Sequence, residues 1–97
     1  MAIMVLLEGK ARADKLDRLK ARLAELFPVT RQYEGCRGIT AYVSGDDGRT
    51  VVFVEYWETK GHYERYLAWR TETGVIPELV SMLEGPPSIR HFEQIDA

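Results

Sequence analysis

The sequence predicts an α+β domain: one four-stranded antiparallel sheet with helices on one face. Two observations predict it. Apolar residues alternate with period two in four separate stretches, and recur at spacings of three and four between them. Taken along the chain, the order is strand, helix, strand, strand, helix, strand. That is the split β-α-β (ferredoxin-like) arrangement.

The first strand covers Ala2 to Lys10. Ile3, Val5 and Leu7 point one way, and Met4 and Leu6 the other. A strand apolar on both faces needs cover on both. Asp14 is placed as a helix N-cap before Leu16, Leu19, Leu23 and Leu26, which form one helical stripe. Pro28 removes an amide donor, so a kinked helix or two abutting helices are expected, with the stripe continuing through Val29 and Tyr33. Basic residues around this stripe alternate with acidic ones and read as a solvated face. Gly35 ends the helix. Arg37 to Ser44 reads as the second strand and Arg49 to Glu58 as the third. Gly45-Asp46-Asp47-Gly48 supplies the turn between them. Thr59 caps a second helix that reaches about Thr71. After Thr73-Gly74, a short helix carries Pro77 in its first turn, followed by Leu79, Val80 and Leu83. Gly85 and Pro86-Pro87 stop it, and Ser88 to Ile95 forms the last strand.

Ninety-seven residues make one domain, residues 1–97, which buries roughly 65% of its unfolded surface. A net charge of −2 gives no electrostatic case for nucleic acid or an anionic membrane. No apolar run is long enough to span a bilayer, and no signal peptide is evident, so a cytoplasmic location is expected. One cysteine, Cys36, excludes an internal disulfide; with two histidines, His62 and His91, it leaves little material for a metal site, and none is expected. Cys36 itself reads as a small apolar group rather than an activated thiolate.

The third strand places Val51, Phe53, Glu55 and Trp57 on one side and Val52, Val54 and Tyr56 on the other. The helices cover one side only. Burying each aliphatic or aromatic side chain is worth about 1.5–3 kcal/mol, so the second face needs a partner. A homodimer with two sheets face to face is expected, with a pocket between each protomer's helices and its own sheet.

Several residues bear on that pocket. His62, Tyr66, Trp69 and Thr73 share one helical face; Tyr63, Leu67 and Arg70 form the neighbouring stripe. They read either as core and dimer-contact aromatics or as the wall of a pocket for a planar aromatic ligand. Trp57 is expected beneath this helix. Glu55 lies on an apolar face and needs a partner, for which Arg90, Arg70 or a tyrosine is available. An ion pair is the favoured reading and a general base the alternative. His91 lies in the last strand, facing away from Phe92.

Three blocks resemble antibiotic biosynthesis monooxygenase domains: Glu34-Gly35-Cys36-Arg37-Gly38, leading into the second strand; Val54-Glu55-Tyr56-Trp57-Glu58-Thr59; and Leu83-Glu84-Gly85-Pro86-Pro87, followed by Arg90 and Glu93. The resemblance implies a dimeric α/β barrel. It further implies an oxygenase acting without cofactor on an electron-rich phenol, quinol or anthrone. On that reading the catalytic candidates are His62, His91 and Tyr66, with either histidine as proton acceptor. Trp57, Tyr63, Trp69 and Glu55 are the substrate-binding candidates. Some members carry a histidine where this chain has Tyr66. The haem-degrading branch uses asparagine, tryptophan and histidine; this chain has no asparagine, and Tyr66 and Ile76 stand near the other two positions. Haem degradation is therefore not expected. A non-catalytic binder of a small hydrophobic molecule, or an isomerase or cyclase, are the alternatives.

Overall fold

A computed structural model describes residues 2–97. Four strands, β1 (Ile3–Lys10), β2 (Cys36–Val43), β3 (Thr50–Trp57) and β4 (Ser88–Glu93), form one sheet in the order β2-β3-β1-β4. Every neighbouring pair is antiparallel. Three helices, α1 (Leu16–Gln32), α2 (Lys60–Glu72) and α3 (Val75–Ser81), pack on one face. The fold is ferredoxin-like α+β, as the alternation of patterns predicts.

Details of α1 differ from expectation. Asp14 lies in the turn before the helix; the cap position falls to Lys15, whose side chain makes no capping bond. Pro28 sits inside one uninterrupted helix rather than between two. Its missing N–H leaves the Ala24 carbonyl without its helical partner, and Ala24 is exposed, so water can take that place. The buried stripe runs through Phe27 and, beyond the proline, Thr30, while Val29 is half exposed. At 100° per residue, position 30 follows 23, 26 and 27 on the core side and position 29 does not. The last strand is also shorter than expected, ending at Glu93, and Ile95 is exposed.

The turn between β2 and β3 is held by Asp47. Its carboxylate accepts from the Thr50 hydroxyl and from the Arg49 and Thr50 amides, which keeps it well below the usual carboxylate range. Thr59 caps α2 by accepting from the His62 amide at 3.1 Å. Gly74, in the left-handed region at φ 85°, turns the chain from α2 into α3.

The two faces of the sheet differ as the alternation requires. On β3, Val51, Phe53, Glu55 and Trp57 are buried under the helices; Val52 and Val54 are partly covered and Tyr56 is exposed. The open face also shows Tyr42 and Phe92 to solvent, and an Arg90–Glu8 pair at 3.3 Å crosses from β4 to β1. Under the helices the core has two parts. An aliphatic part joins Leu19, Leu23 and Leu26 of α1 to Val51, Phe53, Val75 and Leu83. An aromatic part joins Tyr63 and Tyr66 of α2 to Val5 and Trp57.

Candidate functional site

The two parts of the core meet along a narrow internal cleft between α2, α3 and the sheet. It has two compartments, of about 30 and 20 Å³. Leu7, Phe53, Leu67, Ile76 and Leu79 line both, so side chains alone separate them. One compartment is apolar and runs towards Leu83, Pro87 and Ile89. The other carries every polar group of the cleft: Thr30, Glu55, Tyr63, Tyr66 and Arg70. The helical spacing of Tyr63, Tyr66 and Arg70 turns all three towards the sheet.

Tyr66, Thr30 and Arg70 form a closed network. The Thr30 and Tyr66 hydroxyls lie 2.7 Å apart, and Arg70 Nε donates to Tyr66 Oη at 3.1 Å. Arg70 Nη2 donates to the Leu26 carbonyl at 3.0 Å and to Thr30 Oγ1 at 3.1 Å. The guanidinium also stacks 4.6 Å from the centre of the Trp69 ring. Burial pushes the Tyr66 phenol up, opposed by its bonds to Thr30 and Arg70.

Glu55 and Tyr63 are different. Glu55 is 2% exposed, and its one side-chain partner among the described residues is the Trp57 indole, whose Nε1 donates to Oε1 at 3.1 Å. The expected ion pair with Arg90 or Arg70 does not form: Arg90 reaches Glu8, and Arg70 is committed to its neutral acceptors. Burial without a cation pushes the Glu55 carboxyl up to about 7, against the Trp57 bond. Tyr63 is also 2% exposed. Its hydroxyl is the one buried side-chain polar atom among the described residues with no hydrogen-bond partner. Burial raises that phenol well above its ordinary range, with the Glu55 charge adding to the effect.

The remaining candidates stand around the cleft rather than in it. Trp57, fully buried, backs the site: it holds Glu55 and meets Tyr63 and Tyr66 with ring centres 5.9 and 4.8 Å away. Trp69 stacks on Tyr33 at 5.3 Å. His62 is locked at the helix start. Its Nδ1 lies 2.7 Å from Thr59 Oγ1, its Nε2 is 3.8 Å from Glu58, and its ring fills the space beside Gly35. At Gly35 the backbone has φ 88°, and a Cβ would fall 2.4 Å from that ring. His91 is exposed on β4 and presents its ring to Tyr63 at 5.5 Å, edge to face. Of the residues singled out from sequence, the cleft thus brings together Glu55, Tyr63 and Tyr66, and leaves His62, His91, Trp57 and Trp69 outside its lining. Thr30 was not among them; its place in the Leu23–Leu26–Phe27 stripe was the available signal. Cys36 is partly buried, which raises its thiol. Among the described residues no three metal-ligating side chains come together, and no helix is long and apolar enough to cross a membrane.

A family model for antibiotic biosynthesis monooxygenases matches residues 2–71. The chain belongs to this family. The matched span holds the whole polar end of the cleft, including every residue from Thr30 to Arg70 described above. No curated protein matches the sequence. Among solved structures, this monooxygenase-family chain is similar to a conserved protein from Methanosarcina mazei Go1, with TM-score 0.89 and 18% identity over 98% of this chain and 94% of that one. It is similar to a putative antibiotic biosynthesis monooxygenase from Deinococcus radiodurans, with TM-score 0.84 and 21% identity over 98% and 94%. It also resembles the monooxygenase from the ActVA-Orf6 gene of Streptomyces coelicolor, solved with nanaomycin D, with TM-score 0.82 and 19% identity over 99% and 89%. These likenesses establish the fold.

Proposed function

We propose that this protein is a monooxygenase that acts on a small electron-rich aromatic (phenol, quinol or anthrone type) without metal or flavin. The observation that carries the reading is the cleft itself: apolar along its length, with an unpaired carboxyl and an unpartnered phenol buried at one end. Family membership supports oxygenation, and the solved relative holding nanaomycin D supports an aromatic ligand.

The chemistry needs little from the protein. A deprotonated, electron-rich ring reduces dioxygen directly. For a ring methylene, one oxygen atom enters as a carbonyl and the other leaves as water, carrying both methylene hydrogens. The chain binds the ring, accepts a proton and excludes water. A planar ring needs more room than the cleft offers. Binding therefore displaces Leu67, Ile76 and Leu79, and with the last two the seven-residue helix α3. The proton acceptor must reach the cleft. His62, held by Thr59 and Glu58 on the outer side of α2, does not; His91 borders it only through Tyr63.

The working unit is a homodimer joined through the open sheet face, where Tyr56 and Phe92 are exposed and Met4, Leu6 and Val54 are only partly covered. Sedimentation of the protein as a single subunit at micromolar concentration would remove this part of the reading. Oxygenase activity is tested by oxygen uptake with a panel of dihydroxynaphthalenes and anthrones, with product analysis by mass. Uptake with incorporation of one oxygen atom is expected from the wild type and from the His62→Ala/His91→Ala double variant alike. Thermal stabilisation by a ring compound with no product would instead identify a binding module.

A further inference from the structure

We propose that Glu55 and Tyr63 form an oxygen-recognition pair at the polar end of the cleft, with Glu55 taking the proton of a ring hydroxyl and Tyr63 donating to a second ring oxygen. The ligand is then an aromatic bearing both an ionisable hydroxyl and a carbonyl-type acceptor, a hydroxy-keto aromatic. The inference rests on the reading above that the cleft takes an aromatic ring, and it names the groups that read the ring's substituents.

Elimination within the site carries the argument. A carboxylate has about four acceptor positions, and Glu55 uses one of its oxygens for Trp57 Nε1. Neither Glu55 nor Arg70 takes part in any ion pair among the described residues. Arg70 Nε and Nη2 are committed to Tyr66, Thr30 and Leu26, so this side of the guanidinium does not neutralise the carboxyl. The Tyr63 hydroxyl has no partner among the described residues, although the ring is fixed edge-on between Trp57 and His91. Leaving a buried donor unsatisfied is costly, and native interiors rarely do so without reason. A packing role would be served equally by phenylalanine at 63 and glutamine at 55. The two groups have complementary capacities, acceptor and donor, in one compartment whose other polar groups are already satisfied. Burial supports the assignment, since the carboxyl at about 7 is both substantially ionised near neutral pH and basic enough to hold a proton.

The test uses binding under argon at about pH 8, where the carboxyl is largely ionised, so that turnover is not needed. The probes are a set of acetylnaphthols, their methyl ethers, and naphthol, titrated calorimetrically into the wild type, Glu55→Gln and Tyr63→Phe. Both substitutions keep side-chain volume, and folding is checked by the melting transition. The wild type is expected to bind at least one acetylnaphthol about tenfold or more tightly than its ether and than naphthol. Glu55→Gln loses the preference for the free hydroxyl over the ether and keeps the preference for the acetyl group. Tyr63→Phe does the reverse. Equal binding of all three probe types by the wild type, no binding of any, or preferences that survive both substitutions would overturn the proposal. Oxygen uptake is scored separately. Intact preferences without uptake remove the oxygenase reading and leave the pair; uptake with unchanged preferences in both variants does the opposite.

Discussion

The aliphatic and aromatic halves of the core lie side by side under the same helices, yet they are built to different standards. Around Leu19, Val51 and Leu83 the cleft lining is apolar throughout, and Phe27 meets Phe53 edge to face at 5.3 Å. Around Trp57 and Tyr63 the side chains are just as deeply buried, but among the described residues a carboxyl lacks a cation and a phenol lacks an acceptor. The first half holds the fold together. The second tolerates features that oppose folding, and it does so next to the cleft. Local frustration confined to one side of an otherwise consistent core marks where selection has acted on something besides stability.

Three measurements break or sharpen that contrast. Leu23→Ala, in the aliphatic half and outside the cleft lining, is expected to destabilise by about 2–5 kcal/mol in urea unfolding while ring-compound preferences stay unchanged. A smaller loss would mean that this half collapses around the gap. Next is Glu55. Its carboxyl rises from 4.5 to about 7 on folding, so between those values the folded state keeps a proton the unfolded chain has lost. Stability is therefore highest below about pH 4.5 for this group and falls as pH rises to about 7, by roughly 3 kcal/mol in all. Tyr63 and Tyr66, the phenols lining the same compartment, have raised pKa values and stay neutral in that window. Subtracting the Glu55→Gln curve removes contributions from histidines and exposed carboxylates. A difference curve that is flat, or rises with pH, would contradict the buried, unpaired state of this carboxyl. The smallest effect belongs to Tyr63→Phe, which removes the orphan hydroxyl and should stabilise the ligand-free protein by about 1 kcal/mol. Destabilisation would mean that the hydroxyl has a partner after all.

Much of the fold was legible because its signals are local. Period-two alternation in β1 and β3, the Asp47 turn and the Thr59 cap each follow from a few adjacent residues, and the topology follows from their order. The misreadings arose where neighbours decide. Asp14 resembles a cap, but the helix begins after it, at a lysine. Val29 follows Leu26 at a spacing of three and so reads as a continuation of the stripe, but the helix turns Thr30 to the core and leaves Val29 half exposed. The site was half legible. Glu55 on an apolar strand face was a visible anomaly, and its true partner stood two residues away on the same face, since residues i and i+2 of a strand point together. What sequence could not supply was the depth of each side chain. His62 and Tyr63 are adjacent on α2, yet a rotation of 100° places one outside against Gly35 and the other beneath the helix.

The unsatisfied phenol and the isolated carboxyl also bear on how this protein should be handled in the laboratory. A library screened for survival at high temperature would enrich phenylalanine at 63 and a neutral residue at 55, because the native choices oppose the folded state there. Such a screen would return robust scaffolds without the proposed recognition pair. Thermostable descendants of this chain should therefore be sequenced at these two positions before any change in ring-compound binding is attributed to rigidity.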